Sequence, residues 1–260
     1  RIEVEQELHA LLSRSTAVAE SYGAQFARLW TLASHHICHG KLVRPLLLLE
    51  THDALGAVST LTPSRSEVVR IAAAVEALHY AFLLHDDVID GDLFRRGQLN
   101  LIGELGEVQP FEARPGGVRH WAQTGGILAG DLLLSSAHQL FARIDLPDDQ
   151  RLRLLDLLQH TVFETTAGEL VDVGLSDGVI APDLATVLTM TGRKTATYSF
   201  ELPLRAAAVL SGVPAELEQR LRELGRHLGL AYQLQDDLLS TFGDADAHGK
   251  DAFSDLREGK

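Results

Sequence analysis

The chain has 260 residues, enough for one large domain or two small ones and for a sizeable core. Hydrophobic residues make up 45%, which argues against disorder, and the net charge of −13 argues against nucleic acid as a partner. An anionic substrate would need local cations or metal ions to offset that field. The single cysteine, Cys38, excludes an internal disulfide framework and fits a reducing cytoplasm. Proline is scarce while Leu and Ala are abundant, which favours helix over strand. No uninterrupted apolar run reaches about 18 residues, so no membrane span is expected. The chain opens at Arg1 rather than Met and stops at Glu258-Gly259-Lys260; both ends are expected to be incomplete, and no signal peptide is indicated.

Residues 3–34 carry Val4, Leu8, Leu11, Leu12 and Val18 at near-helical spacing and read as one or two helices. His39-Gly40-Lys41-Leu42-Val43-Arg44-Pro45 follows, a loop-to-helix junction with Pro45 suited to a first helical turn. Lys41 and Arg44 can point the same way there, either as an anion site or as a solvated basic turn. Residues 46–57 continue as an apolar helix. Thr62-Pro63-Ser64 opens the next, with Ser64 as N-cap and Glu67 completing a capping-box pattern. From Val68 to Ile89 the pattern is a long, mostly apolar helix, and it ends in an acidic run, Asp86-Asp87-x-x-Asp90, followed by Arg95 and Arg96.

Asp86 and Asp90 are four apart, so on a helix they share one face and can approach one ion together. Carboxylates suit hard cations; Mg²⁺ takes one or two of them together with phosphate oxygens and water. Arginines beyond them can hold phosphate in bidentate fashion. The stretch therefore reads as a magnesium-held diphosphate site, against the plainer reading of a solvated acidic helix end. His79 lies two turns before Asp86 on almost the same face, as a ligand or as a buried structural His.

Residues 98–119, with Gly103, Gly106, Pro110, Pro115, Gly116 and Gly117, read as a long loop, of a length often used as a lid. Helices are expected over 124–143, where Gly130-Asp131 implies close packing or a dimer contact, and over 148–174, where Glu169 and Asp172 share a face. A further helix over 183–211 holds Arg193-Lys194-Thr195 with its polar groups inward. The last predicted helix, 214–242, carries the second acidic run, Gln233-Leu234-Gln235-Asp236-Asp237-Leu238-Leu239-Ser240. A loop with Gly249 and Lys250 follows it. Two long helices thus each carry an Asp pair after an apolar shaft. If they face one another, the acids meet across one cavity.

The blocks GKLVRP (40–45), HDDVID…RRG (85–97), ILAGDLLL (127–134), GELVD (168–172), GRKTATYSFELPL (192–204), GLAYQLQDDLL (229–239) and GKDAFSDLREGK (249–260) together resemble the trans-polyprenyl diphosphate synthases, of the geranylgeranyl/farnesyl kind. They occur in the family's order and cover nearly the whole chain. The resemblance implies an all-α fold, a single domain over 1–260 built as a helical bundle around a central cavity, usually as a homodimer, with further helices after the point where this chain stops. The implied reaction ionises an allylic diphosphate. The cation is attacked by the double bond of isopentenyl diphosphate, and the released pyrophosphate can take the proton that is lost.

By resemblance, three Mg²⁺ are held by Asp86, Asp90 and Asp236, with Asp87 and Asp237 behind them. Arg95, Lys194 and Lys250 hold the allylic diphosphate; Gly40, Lys41, Arg44, His79 and Arg96 hold isopentenyl diphosphate. Thr195 and Gln233, with the carbonyl of Lys194, stabilise the cation. The second run has Ser240 where the family often has a third Asp, which also brings it close to a metal motif of class I terpene cyclases. A cyclase is thus one alternative, and a weakly active regulatory subunit of a heteromeric synthase is another. Phe82, one turn before Asp86, should limit the growing tail; Ala81 beside it is small. The expected product has fifteen to twenty carbons, with twenty favoured.

Overall fold

The structure, a computed structural model, describes residues 1–38, 40–56, 63–95, 97–108 and 111–242. The described residues are almost entirely helical, as expected, apart from one two-stranded hairpin. They group into two compact units, residues 1–46 with 65–144, and residues 47–64 with 145–260. α3 (Val43–Leu55) begins two residues ahead of Pro45, which sits in its first turn.

In the first unit, α1 (Ile2–Ser21) and α2 (Ala24–Ile37) pack together, and the indole N–H of Trp30 donates to the carbonyl of Leu12 at 3.0 Å. α4 (Arg65–Asp90) starts directly after Ser64. Its core is apolar and small: Ile71, Ala72, Ala73, Ala74, Ala77, Leu78, Ala81 and Leu84 are all fully buried. By length and composition α4 could cross a membrane, although Glu76 and His79 interrupt its run of apolar residues. Within the protein 67% of that window is buried, the behaviour of a core helix.

α6 (Gly117–Ala142) lies along α4 and against α5 because three of its glycines carry no side chain. A Cβ on Gly126 would come within 2.8 Å of Val88 and 3.0 Å of Ile102, and one on Gly130 would overlap the ring of His85. One on Gly125 would overlap Leu105. The close packing expected at Gly130 is therefore real, and its partner is α4.

The predicted loop over 98–119 is only partly a loop. Strands β1 (Phe94–Arg95) and β2 (Gln98–Leu99) form a hairpin, with Gly97 at φ +75° in the turn, and a short helix α5 (Leu101–Gly106) follows. Gly103 and Gly106 had read as breakers. Gly103 is instead a packing residue: a Cβ there would lie 2.5 Å from the carbonyl oxygen of Leu93. Asn100, 4% exposed, organises the segment. Its side-chain oxygen accepts from the N–H of Gly103 at 2.9 Å as the N-cap of α5, and its side-chain amide donates to the carbonyl of Asp92 at 2.9 Å.

In the second unit, α7 (Asp148–Ser176) and α10 (Ala215–Phe242) flank a helical stretch predicted as one element over 183–211. It is three: α8 (Leu184–Thr191), a π-helical segment Gly192–Glu201, and α9 (Leu202–Leu210). Pro203 at the start of α9 has no N–H to give to an α-helical ladder behind it, and the N–H of Leu202 donates five residues back to Thr197. Glu218 ties three helices together: it accepts from Arg205 of α9 at 3.1 Å and 3.2 Å and from Arg153 of α7 at 2.5 Å.

Two changes test this account of packing. Asn100→Ala removes a cap and leaves buried groups without partners, so urea unfolding should show a loss of about 1–3 kcal/mol. Gly103→Ala forces backbone to move and should cost at least as much. An unchanged midpoint for both would remove Asn100 and Gly103 as the organisers of this segment.

Candidate active site

The first acidic run is the C-terminal end of α4. Gly91, at φ +76°, takes the left-handed conformation that closes many helices, and the N–H of Asp92 donates to the carbonyl of Asp87 at 2.9 Å. That Schellman closure fixes the last turn, where the three acids differ in exposure. Asp90 is exposed, Asp86 is half-buried, and Asp87 is 2% exposed. The hairpin brings Arg95 back over the turn. One of its terminal nitrogens donates to Asp87 Oδ1 and lies 3.8 Å from Asp86 Oδ2.

Burial pushes the Asp87 carboxyl up to about 6, opposed by the charge and hydrogen bond of Arg95 and reinforced by Asp86 and Asp92. Burial lowers Arg95, but Asp87, Asp86 and Asp92 outweigh it and hold the guanidinium above its ordinary value. Tyr80, two turns before Asp87, is buried, and desolvation followed by the charge of Asp87 pushes its phenol up. The faces of α4 thus separate. Tyr80 and Asp87 turn to the interior, while Asp86 and Asp90 are left with open surface.

Upstream on α4, His79 is 8% and Glu76 is 4% exposed. Gly40 sits against Glu76, where a Cβ would lie 2.7 Å from Oε1. The chain then passes through Leu42, whose φ of +56° is strained for a branched side chain, held by complete burial of that side chain. Lys41 is exposed and Arg44 half-buried on either side of it. Phe82 is half-buried, whereas Ala81 is fully buried. Arg96 and Lys250 lie outside the described residues, as do His39 and Gly249.

In the second unit the π segment presents Lys194 to α7. Its ammonium lies 2.5 Å from Asp172 Oδ2 and 3.0 Å from Glu169 Oε2. The two acids that shared a predicted face are therefore a clamp on one lysine. Gly168 makes this possible, since a Cβ there would overlap the backbone of Lys194. On the other side, the hydroxyl of Thr195 donates to Gln233 Oε1 at 3.2 Å, and the Gln233 amide donates to Asp237 Oδ1 at 2.8 Å. Asp236 is half-buried beside that chain of bonds, and Asp237 is exposed. The side chain of Ser240 lies outside the described residues.

Each unit therefore sets a cation between two acids, and each leaves further carboxylates at the end of a long helix. Asp86 and Asp90, four apart on one face of α4, offer the oxygen ligands that suit a hard divalent cation. Glu76, Gly91 and Asn100 were missed by the sequence reading. Gly91 carried a signal, being a glycine just past the last periodic residue. Asn100 carried one too, as an N-cap residue before a short apolar run, masked by the glycines after it.

The polyprenyl synthetase family pattern matches residues 27–260. The geranylfarnesyl diphosphate synthase of Aeropyrum pernix is 31% identical over 224 residues, 85% of this chain and 64% of its own length. The geranylgeranyl diphosphate synthase of Sulfolobus acidocaldarius is 31% identical over 232 residues, 88% of this chain and 63% of its own. The chain thus spans less than two-thirds of either relative. Among solved structures, the geranylgeranyl pyrophosphate synthase of Corynebacterium glutamicum, complexed with isoprenyl diphosphate and magnesium, superposes with a TM-score of 0.89. It is 26% identical and covers 99% of this chain and 72% of its own. An all-α fold, the two acidic runs and the match along most of the chain agree: this chain belongs to the polyprenyl synthetase family.

The titration of Asp87 is directly measurable. Its value in the folded protein lies above the ordinary 3.8, so the folded state holds that proton more tightly than the unfolded chain. This group's contribution to stability then weakens as pH rises from 3.8 to about 6. Carbon-detected NMR of the aspartate carboxyls should show one midpoint near 6, moving higher in Arg95→Met, where the opposing charge is gone. An unmoved midpoint in that variant would separate the two groups.

Proposed function

We propose that the chain is a magnesium-dependent prenyltransferase that condenses isopentenyl diphosphate with an allylic diphosphate to a short linear all-trans prenyl diphosphate. Twenty carbons is the preferred length. The observation that carries the reading is the paired arrangement of cation and carboxylates, Arg95 with Asp86 and Asp87, and Lys194 with Glu169 and Asp172, each beside acids that remain at a helix end. The two units are read as parts of one domain, because the family match runs through both.

Asp86, Asp90 and Asp236 are the proposed holders of three Mg²⁺, whose contribution is to neutralise the departing pyrophosphate. Asp87 and Asp237 stand behind them. The buried Asp87 fixes Arg95, and Asp237 fixes Gln233. Arg95 and Lys194, held by carboxylates in the absence of substrate, can exchange those partners for diphosphate oxygens and then stabilise the charge that develops as the carbon–oxygen bond breaks. Lys250 joins them on the allylic diphosphate. Gly40, Lys41, Arg44, His79 and Arg96 hold the diphosphate of isopentenyl diphosphate. Thr195, Gln233 and the carbonyl of Lys194 point lone pairs at the cation; Gln233 is preset for this because its amide is engaged by Asp237 and its oxygen by Thr195. The enzyme is proposed to act as a cytoplasmic homodimer; the exposed Ile127, Leu128 and Leu132 on α6 support an interface there.

The decisive experiment supplies Mg²⁺, isopentenyl diphosphate and, separately, dimethylallyl, geranyl or farnesyl diphosphate, and sizes the dephosphorylated products by chromatography. A linear alcohol lost on chelation is expected. Asp86→Asn and Asp236→Asn should each lower kcat/KM by roughly 100-fold or more. Hydrocarbon formed without isopentenyl diphosphate would instead make the chain a cyclase. Silence alone, with stimulation of a partner synthase, would make it a regulatory subunit. Phe82→Ala should lengthen the product; an unchanged length would remove Phe82 as the floor.

A further inference from the structure

A second cluster of ligating side chains lies apart from the acidic run, in the first unit. His35 and His36 form the last turn of α2, and Glu104 stands on α5, 68 residues after His36. Their donor atoms all lie within 4.8 Å of one another. His36 Nε2 is 3.0 Å from Glu104 Oε1, and the two imidazoles meet edge to face with ring centres 5.4 Å apart. We propose that His35, His36 and Glu104 form a site for a borderline divalent transition metal, of which Zn²⁺ is the representative, pinning the end of α2 to α5.

The chemistry of the donor set selects the ion. Two imidazole nitrogens and one carboxylate suit Zn²⁺, Co²⁺, Ni²⁺ or Cu²⁺ and disfavour Mg²⁺, which prefers an all-oxygen shell. Three protein ligands leave a fourth position for water. Metal–ligand distances of about 2.0–2.2 Å place tetrahedral donors roughly 3.4 Å apart. The His36–Glu104 pair is already inside that separation, and the donor atoms of all three side chains lie within 4.8 Å of one another. Two further features favour a cation at this position. The C-terminal end of a helix carries partial negative charge, and both histidines lie in the last turn of α2. The carboxylate is also pre-positioned. α5 is capped by Asn100 and buries Leu101, Ile102, Gly103 and Leu105, and the Glu104 carbonyl accepts from Arg28 of α2 at 2.9 Å. A metal here would brace the end of α2, whose two histidines lie four to six residues before Gly40 and Lys41.

The test titrates Zn²⁺ into the full chain by calorimetry in excess Mg²⁺, with His35→Ala and Glu104→Gln alongside. One Zn²⁺ per chain is expected, weakened at least tenfold in each variant, with a rise in Tm that His35→Ala lacks. Stoichiometric Cu²⁺ should give an electron paramagnetic resonance spectrum with coupling to two imidazole nitrogens, reduced to one in His35→Ala. The double variant Asp86→Asn, Asp90→Asn should keep both signatures. Equal Zn²⁺ affinity in wild type and His35→Ala, or absence of two-nitrogen coupling, would overturn the proposal. Loss of the site in the Asp86, Asp90 double variant would assign the ion to the acidic run and overturn it equally, whatever the product assay gives. His35 is exposed, so its variant decides even if Glu104→Gln loosens α5.

Discussion

The buried contact between Asp87 and Arg95 is the interaction on which the first acidic run depends. Three carboxylates within five residues, with Asp92 close behind, repel one another and would unwind a free helix end. Burying one of them adds the cost of desolvation, visible in the raised Asp87 carboxyl. Arg95 offsets part of both costs, because its guanidinium reaches Asp87 and Asp86 together. The hairpin, the left-handed Gly91 and the Asn100 cap serve to return Arg95 to a helix end that its sequence position has already left. The second unit reaches the same balance with the same ratio of charges. There a single half-buried lysine holds two acids of another helix, and the contact forms because Gly168 admits the backbone of the π segment.

Much of this was legible in the chain. The long apolar helix ending in Asp86, Asp87 and Asp90 was visible in its periodicity, and so was its counterpart ending at Asp236 and Asp237. The ends of the helices expected over 148–174 and 214–242 lay within two residues of expectation, whereas α6 begins at Gly117, seven residues before the expected 124. The failures were of two kinds. Glycine was read as a breaker at Gly103, where it is a helix residue required by the Leu93 carbonyl; propensity lost to a tertiary contact. The π segment was invisible, because apolar spacing fits one helix across 183–211 and a five-residue hydrogen bond leaves no residue type behind. Roles were harder than positions. Glu169 and Asp172 look like surface acids until Lys194 is placed between them, and nothing in the spacing of residues 22 positions apart reveals that.

The cations of both units rest in ion pairs rather than waiting unpaired. For a chain of net charge −13 this has a sound physical basis. Unpaired arginine or lysine near a helix end would attract solvent anions, whereas a carboxylate partner holds the side chain in place and yields to a ligand of higher charge. Under the proposed function a diphosphate with metal ions is such a ligand, and the half-buried Arg95 and Lys194 would serve positioning and substrate exchange with the same atoms.

The π segment works as a vernier against α10. Gly229 faces Ala196 and Gly225 faces Glu201, so five residues on one rod are spanned by four on the other. Two α-helices in lockstep would drift out of these contacts within a turn. The wider coil brings both glycines onto backbone at close range. The registry of the π segment against α10 is thus a property of two unequal pitches. One residue added or removed between Gly192 and Glu201 would shift every contact beyond it by one tooth.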